Sequence, residues 1–217
     1  MTGIRETLCR VCDLLYERGY VVGHDGNVSV RVGKRQMLIT PSGVSKGRLT
    51  PDMLVLCDLE GTVLSGSRHP SSEMAMHLLV YRERPDVGAV VHAHPPVSTA
   101  FSICRRPLAE RYLIETISGL GEVPVAPFAT PSTPEVPESI LPYVSGHSAV
   151  LLANHGALTW GKDLWEAFDR MEILEQTARI HTLVHQLGGG VELTGEQAQT
   201  ILGLSGHYAA LAAPREL

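Results

Sequence analysis

Two histidines separated by a single residue, in the run V-V-H-A-H-P from Val90 to Pro95, are the side chains best placed to do chemistry. In a strand, residues two apart point to the same face about 6.6–6.8 Å from one another, so His92 and His94 can present both imidazoles to one metal ion. The pair closes an apolar run and stands directly before a proline, where a strand leaves its sheet and functional residues gather. Alone, H-x-H is a weak signal. A second apolar run, L-L-A-N-H-G-A-L from Leu151 to Leu158, ends in His155 followed by glycine. Three histidines on two strand ends match the catalytic zinc pattern of three protein ligands at about 2.0–2.1 Å, with a fourth position open to water or substrate. Such a site is a Lewis acid, although His155 taken singly reads equally well as a turn residue closing a strand.

A third run, H-P-S-S-E-M-A-M-H from His69 to His77, opens a helix with Ser71, Ser72 and Glu73 in its first turn. Hydroxyls and free N–H groups at a helix N-terminus form an anion site suited to phosphate, and ordinary N-capping explains the same residues. Two glycine turns, G-H-D-G-N-V-S (Gly23 to Ser29) and I-T-P-S-G (Ile39 to Gly43), offer Asn27, Ser42 and Gly43 as donors to phosphate oxygens; plain turn chemistry is the other reading. His77 follows Glu73 by one helical turn and is a candidate to support the site from behind. His181 and His185 are four apart on a long helix, but H-T-L-V-H lacks the glutamate of a zinc-protease helix, so a surface or packing role is expected. Cys9 and Cys12 form a C-x-x-C inside a helical segment with no second pair, which reads as buried thiols.

These residues need elements to position them. Apolar residues at helical spacing predict helices over 4–18, 71–84 (Ser71 or Ser72 as N-cap, Pro85 as stop), 95–104, 132–143, 162–187 and 194–213. Short apolar runs predict strands over 28–32, 37–40, 54–58, 89–93, 123–126 and 149–153. No composition break precedes the triple glycine at Gly188, so one α/β domain with a mixed sheet is expected over 1–217, with 191–217 a C-terminal helical tail. The 217 residues carry a net charge of −5 and only 5% aromatic side chains, which argues against a nucleic-acid binder. With no signal-peptide pattern and no long uncharged apolar stretch, a cytoplasmic protein without membrane association is expected.

The order G-N-V-S, I-T-P-S-G, P-S-S-E, V-V-H-A-H-P, N-H-G-A-L-T-W-G resembles the class II aldolase/adducin superfamily, most closely its L-fuculose-phosphate aldolase branch, over most of the chain from Gly19 to Leu187. The resemblance implies a three-layer α/β/α domain around a mixed, mainly antiparallel sheet, and homotetramers with a zinc site near each subunit interface. It makes His92, His94 and His155 the zinc ligands and Glu73 the acid/base. It makes Asn27, Ser42, Gly43, Ser71 and Ser72 the holders of a substrate phosphate, and Tyr112 the second acid. Tyr208, near the C-terminus, reads as a packing residue, with reach into a neighbouring subunit's site as the alternative. The implied reaction is cleavage of a ketose 1-phosphate, L-fuculose 1-phosphate or a related deoxy sugar, to dihydroxyacetone phosphate and an aldehyde.

Glu73 after the two serines, where the ribulose-phosphate 4-epimerase branch has aspartate, favours a lyase. It leaves open methylthioribulose-phosphate dehydratases and oxo-tetronate-phosphate decarboxylases. Outside the enzymes of the superfamily stand an adducin-like scaffold, which has no reason to keep three histidines and Glu73, and a metallohydrolase, which the motif order disfavours. Lys34, Lys46 and Lys162 are the lysines of the chain, all in polar or glycine-flanked stretches, so no Schiff-base amine is expected.

Overall fold

The structure, a computed structural model, describes residues 2–212, with side chains described over 3–204. Eight strands form one sheet: β1 (Asn27–Arg31), β2 (Gln36–Ile39), β3 (Val55–Asp58), β4 (Val63–Ser65), β5 (Ala89–Ala93), β6 (Val125–Ala126), β7 (Ala149–Leu152) and β8 (Gly156–Gly161). Their order across the sheet is β4-β3-β2-β1-β5-β8-β7-β6. All neighbouring pairs are antiparallel except β6 and β7.

Helices cover both faces, so the central strands are apolar at successive positions rather than alternating: β5, β7 and β8 are buried throughout. One face packs on α1 (Thr2–Glu17), α3 (Pro96–Ile103) and α6 (Leu164–Gln186) through Leu8, Val11, Leu15, Phe101, Phe168 and Met171. The other packs on α2 (Met74–Glu83) and α5 (Glu135–Val144) through Met76, Val80, Ile140 and Trp160. The result is the three-layer α/β/α arrangement around a mainly antiparallel sheet. A short α4 (Ile114–Gly119) lies before β6, and α7 (Gly195–Ala212) packs on α4. Cys9 and Cys12 are buried thiols on α1, and burial raises both well above the ordinary thiol range, Cys9 to about 11.

Two strands and one α-helix lie outside the sequence expectations, as do two 3-10 turns at Lys46–Arg48 and Pro51–Met53. β8 is the most consequential, because it sits between β5 and β7 and turns His155 into a hairpin residue. Its signal was present: A-L-T-W bounded by Gly156 and Gly161. At Gly161 an added Cβ would lie 2.7 Å from the amide nitrogen of Ala167, so the strand's exit beneath α6 admits only glycine. β4 and α4 are short, and their patterns carry little period. The helix expected from Ser71 begins instead at Met74. Glu73 occupies the N-cap position without a side-chain cap bond of its own, and Ser71 closes the turn before it, its Oγ accepting from the Glu73 N–H at 3.3 Å.

Candidate active site

Strand parity places the site. On β5, Ala89, Val91 and Ala93 face the α1/α3/α6 layer while Val90 faces α2 and α5, so His92, two residues on, faces α2 as well. β1 lies antiparallel beside it with Asn27 opposite His92. His155 stands in the turn between β7 and β8, where Asn154 takes φ +58 and the His155 N–H donates to the Leu152 carbonyl at 3.0 Å. Asparagine tolerates this left-handed geometry better than most residues. Arg105 donates to the Asn154 side chain from across the turn. Gly156 follows because a Cβ there would lie 2.5 Å from His94 Cδ2 and 2.6 Å from the Ala93 carbonyl oxygen.

The three imidazoles converge. One ring nitrogen of each of His92, His94 and His155 lies within 4.8 Å of the others, with His92 Nε2 and His94 Nε2 at 3.1 Å. Glu73 closes the group: its Oε2 lies 3.4 Å from His92 Nε2 and its Oε1 3.4 Å from His155 Nε2. His92 Nδ1 is 2.9 Å from the Ala157 carbonyl oxygen, which only accepts, so Nδ1 carries the proton and Nε2 turns its lone pair into the cluster. Burial is the main reason that His92 sits well below the ordinary histidine range, with the neighbouring imidazoles adding to it. His94 is lowered for the same reasons, opposed by Asp25, whose Oδ2 lies 3.6 Å from His94 Nδ1.

Imidazole nitrogens converging on one another beside a carboxylate are a donor set suited to a cation. Among the described residues Glu73 Oε1 is buried without a hydrogen-bond partner, the kind of orphaned acceptor that a native site otherwise satisfies. The residues therefore fit a divalent metal held by three nitrogens, with the carboxylate adjacent.

Residues 6–182 match the family model for the class II aldolase and adducin N-terminal domain. The chain belongs to the class II aldolase/adducin family. It is 38% identical to a 3-oxo-tetronate 4-phosphate decarboxylase of Haemophilus influenzae over 181 residues, 81% of this chain and 85% of that one. It is 35% identical to an L-fuculose phosphate aldolase of Methanococcus maripaludis over 178 residues, 82% and 96% of the two chains. A solved L-fuculose 1-phosphate aldolase superposes with a TM-score of 0.88 at 34% identity, covering 94% of this chain and 96% of that one.

In this class II aldolase family member the residues expected at a phosphate are only partly gathered. An isolated bridge pairs Pro41 with Pro70, with Ser42 N–H donating to His69 O at 3.0 Å and Ser71 N–H to Thr40 O at 3.1 Å. That pairing sets Ser42 and Gly43, both exposed, beside Ser71 and Ser72. Gly43 takes φ +71, a conformation that favours glycine. Ser132, unnoticed in the sequence, donates to Ser72 Oγ at 3.0 Å. Asn27 is different: it is 3% exposed, and its amide is committed to Glu73 Oε2 at 3.0 Å and to His77 Nε2 at 2.5 Å.

Tyr112 does not join the cluster. Its ring packs edge-on against His181 at 5.0 Å and beside Gly190. His181 is accordingly a buried packing residue, with Glu110 Oε2 3.3 Å from its Nδ1. The side chain of Tyr208 lies outside the described residues. Lys46 is buried although its sequence neighbours are polar or glycine: it is 2% exposed, and its Nζ donates to the His24 and Val44 carbonyls at 2.9 Å each. Desolvation lowers its pKa, but those bonds hold it as a structural cation under the Gly23–Gly26 loop.

Proposed function

We propose that this chain is a zinc-dependent lyase that splits a ketose 1-phosphate into dihydroxyacetone phosphate and an aldehyde, working as a cytoplasmic homotetramer. The observation that carries the reading is Glu73, a carboxylate set 3.4 Å from two of three convergent imidazoles with one oxygen buried and unpartnered among the described residues. His92, His94 and His155 would hold the ion, which supplies Lewis-acid stabilisation for the negative charge left by carbon–carbon cleavage. Glu73 delivers and removes the proton on the dihydroxyacetone half. Asn27 occupies Oε2, which leaves Oε1 for that proton. Ser42, Gly43, Ser71 and Ser72 bind the phosphate through hydroxyls and amides, since a net charge of −5 provides no general field to draw an anion in. Cleavage also requires a base for the hydroxyl proton on the carbon that becomes the aldehyde, the same group that acts as the acid in the reverse addition. Tyr112 is the group proposed, and because it sits against His181 rather than its own cluster, it serves the site of another copy.

The 38% identity to a 3-oxo-tetronate 4-phosphate decarboxylase favours a second reading. A 3-oxo acid of that structure losing carbon dioxide leaves the same enediolate, that of dihydroxyacetone phosphate, as a ketose 1-phosphate losing an aldehyde. Glu73 would return the proton to the same carbon in both. The two reactions differ in the departing fragment, and only the aldol cleavage needs a base for a hydroxyl. The deciding experiment supplies L-fuculose 1-phosphate, related ketose 1-phosphates and 3-oxo-tetronate 4-phosphates to the zinc-loaded protein and follows dihydroxyacetone phosphate, aldehyde and carbon dioxide. Aldehyde release from a 1-phosphate that falls in Tyr112→Phe supports the aldolase. Turnover of the oxo acid alone, insensitive to Tyr112→Phe, establishes the decarboxylase, and product from neither directs attention to the dehydratase and epimerase reactions of the family.

A further inference from the structure

A line of buried polar groups runs from the far end of α2 to Glu73. Tyr81 Oη lies 2.8 Å from Ser29 Oγ, Ser29 Oγ 2.7 Å from His77 Nδ1, His77 Nε2 2.5 Å from Asn27 Oδ1, and Asn27 Nδ2 3.0 Å from Glu73 Oε2. Two local periods create it. Asn27 and Ser29 are two apart on β1 and share a face, while Glu73, His77 and Tyr81 follow one another at four-residue intervals along α2. Asn27, Ser29, His77 and Tyr81 are all at most 3% exposed, so water offers none of them an alternative partner.

We infer that Tyr81, Ser29 and His77 form a one-way hydrogen-bond line that locks the amide of Asn27 and through it orients Glu73, making His77 a positioning residue for the proposed acid/base. Each bond direction follows from the one before. A carboxylate only accepts, so the Asn27 nitrogen faces Glu73 and its oxygen faces His77. That oxygen needs a proton, so His77 carries hydrogen on Nε2. Burial holds His77 neutral, with its pKa lowered to about 3, so Nδ1 is a bare acceptor and Ser29 must donate to it. Ser29 Oγ then receives the Tyr81 hydroxyl proton. Arg31 secures the far end, its guanidinium 4.8 Å from the centre of the Tyr81 ring and donating to the Tyr81 carbonyl at 2.8 Å. Run backwards, the line would put hydrogen on Nδ1, turn the Asn27 amide over and set its oxygen against the Glu73 carboxylate. A hydrogen bond to a charged group would be exchanged for repulsion.

The consequence for turnover rests on Glu73 being the acid/base, but the line itself is tested without any reaction. In 15N-histidine-labelled, metal-free protein, long-range 15N–1H spectra are expected to show His77 as a single Nε2–H tautomer at neutral and mildly acidic pH. An Nδ1–H tautomer, a mixture or an imidazolium overturns the proposal. Ser29→Ala, which touches neither Glu73 nor the three imidazoles, is expected to produce a tautomer mixture. On whichever substrate turns over, it should lower kcat by about tenfold, in the range typical for groups that orient a site from behind, with KM and bound metal unchanged. Ser29→Thr restores the hydroxyl and should restore both tautomer and kcat. Tyr81→Phe, one bond further away, should give a smaller loss of the same kind. Ser29→Ala or Tyr81→Phe with a wild-type tautomer and wild-type kcat refutes the positioning role, as does a Ser29→Ala loss that falls on KM or metal content.

Discussion

Glu175→Gln tests how the strand carrying the metal-site histidines is anchored. Glu175 lies on α6 and is fully buried. Its Oε1 accepts from Val97 N–H at 3.2 Å and Arg179 Nε at 3.1 Å; its Oε2 accepts from Ser98 N–H and Ser98 Oγ at 2.9 Å each. Val97 and Ser98 open α3, the helix entered directly after His92 and His94, and the N-cap residue Pro95 has no side-chain acceptor to offer. Glu175 is therefore the cap, delivered from a distant helix, and its charge also faces the positive end of the α3 dipole. Glutamine keeps the shape but turns one end into a donor that meets two donors. Hydrogen bonds to charged groups contribute about 1.5–3 kcal/mol each, so losing two costs roughly 3–6 kcal/mol. Relief from burying a charge, and the hydration open to the half-exposed Arg179, offset part of this. A net destabilisation of about 3 kcal/mol is expected, which for a chain of this size lowers Tm by roughly 6–12 °C. Thermal unfolding of metal-free protein at one fixed concentration measures it, because an oligomer's Tm depends on concentration. A Tm within about 2 °C of wild type, where this cost should dominate, would refute the capping argument.

Gly156→Ala should weaken metal binding at least tenfold while leaving all three ligands in the sequence, because the new Cβ would lie 2.5 Å from His94 Cδ2; that is about 1.4 kcal/mol, and a wild-type affinity in a zinc titration would contradict it. His155→Ala should abolish stoichiometric metal while preserving the circular dichroism of the fold, and metal retained at one ion per chain would remove His155 from the site. Acid should destabilise the metal-free protein through His77, whose folded pKa of about 3 lies below its unfolded value. The unfolded chain binds the proton first, so the full contribution is present above about pH 6.5 and declines by roughly 1.4 kcal/mol per pH unit as the pH falls towards 3. Urea unfolding over a pH series checks this, and His77→Gln should show a shallower acid limb; identical limbs would show that His77 does not remain neutral in the folded state.

The chain's local chemistry is legible in its sequence. The 3.6-residue period of Leu8, Val11, Cys12 and Leu15 marked α1, and H-A-H at the end of an apolar run marked the strand end that carries two of the imidazoles. Both follow from side-chain direction along a single element, which neighbouring residues determine. Motif order points to the family, although the G-N turn makes Asn27 read as a loop donor to phosphate. Only the pairing of β1 with β5 and the packing of α2 above them turned its amide inward, between Glu73 and His77. Likewise Ser71 and Ser72 have the local properties of helix caps, but the bridge between Pro41 and Pro70 ties down the entry, Ser72 and Glu73 form a turn that Ser71 closes, and the helix begins only at Met74. Lys46 looked solvated because its neighbours are polar, and its burial comes from α1 and the His24 loop. Local sequence determined the elements and the identity of the chemistry-bearing side chains. Distances, burial and hydrogen-bond partners were decided by contacts between residues tens of positions apart, which no local pattern encodes.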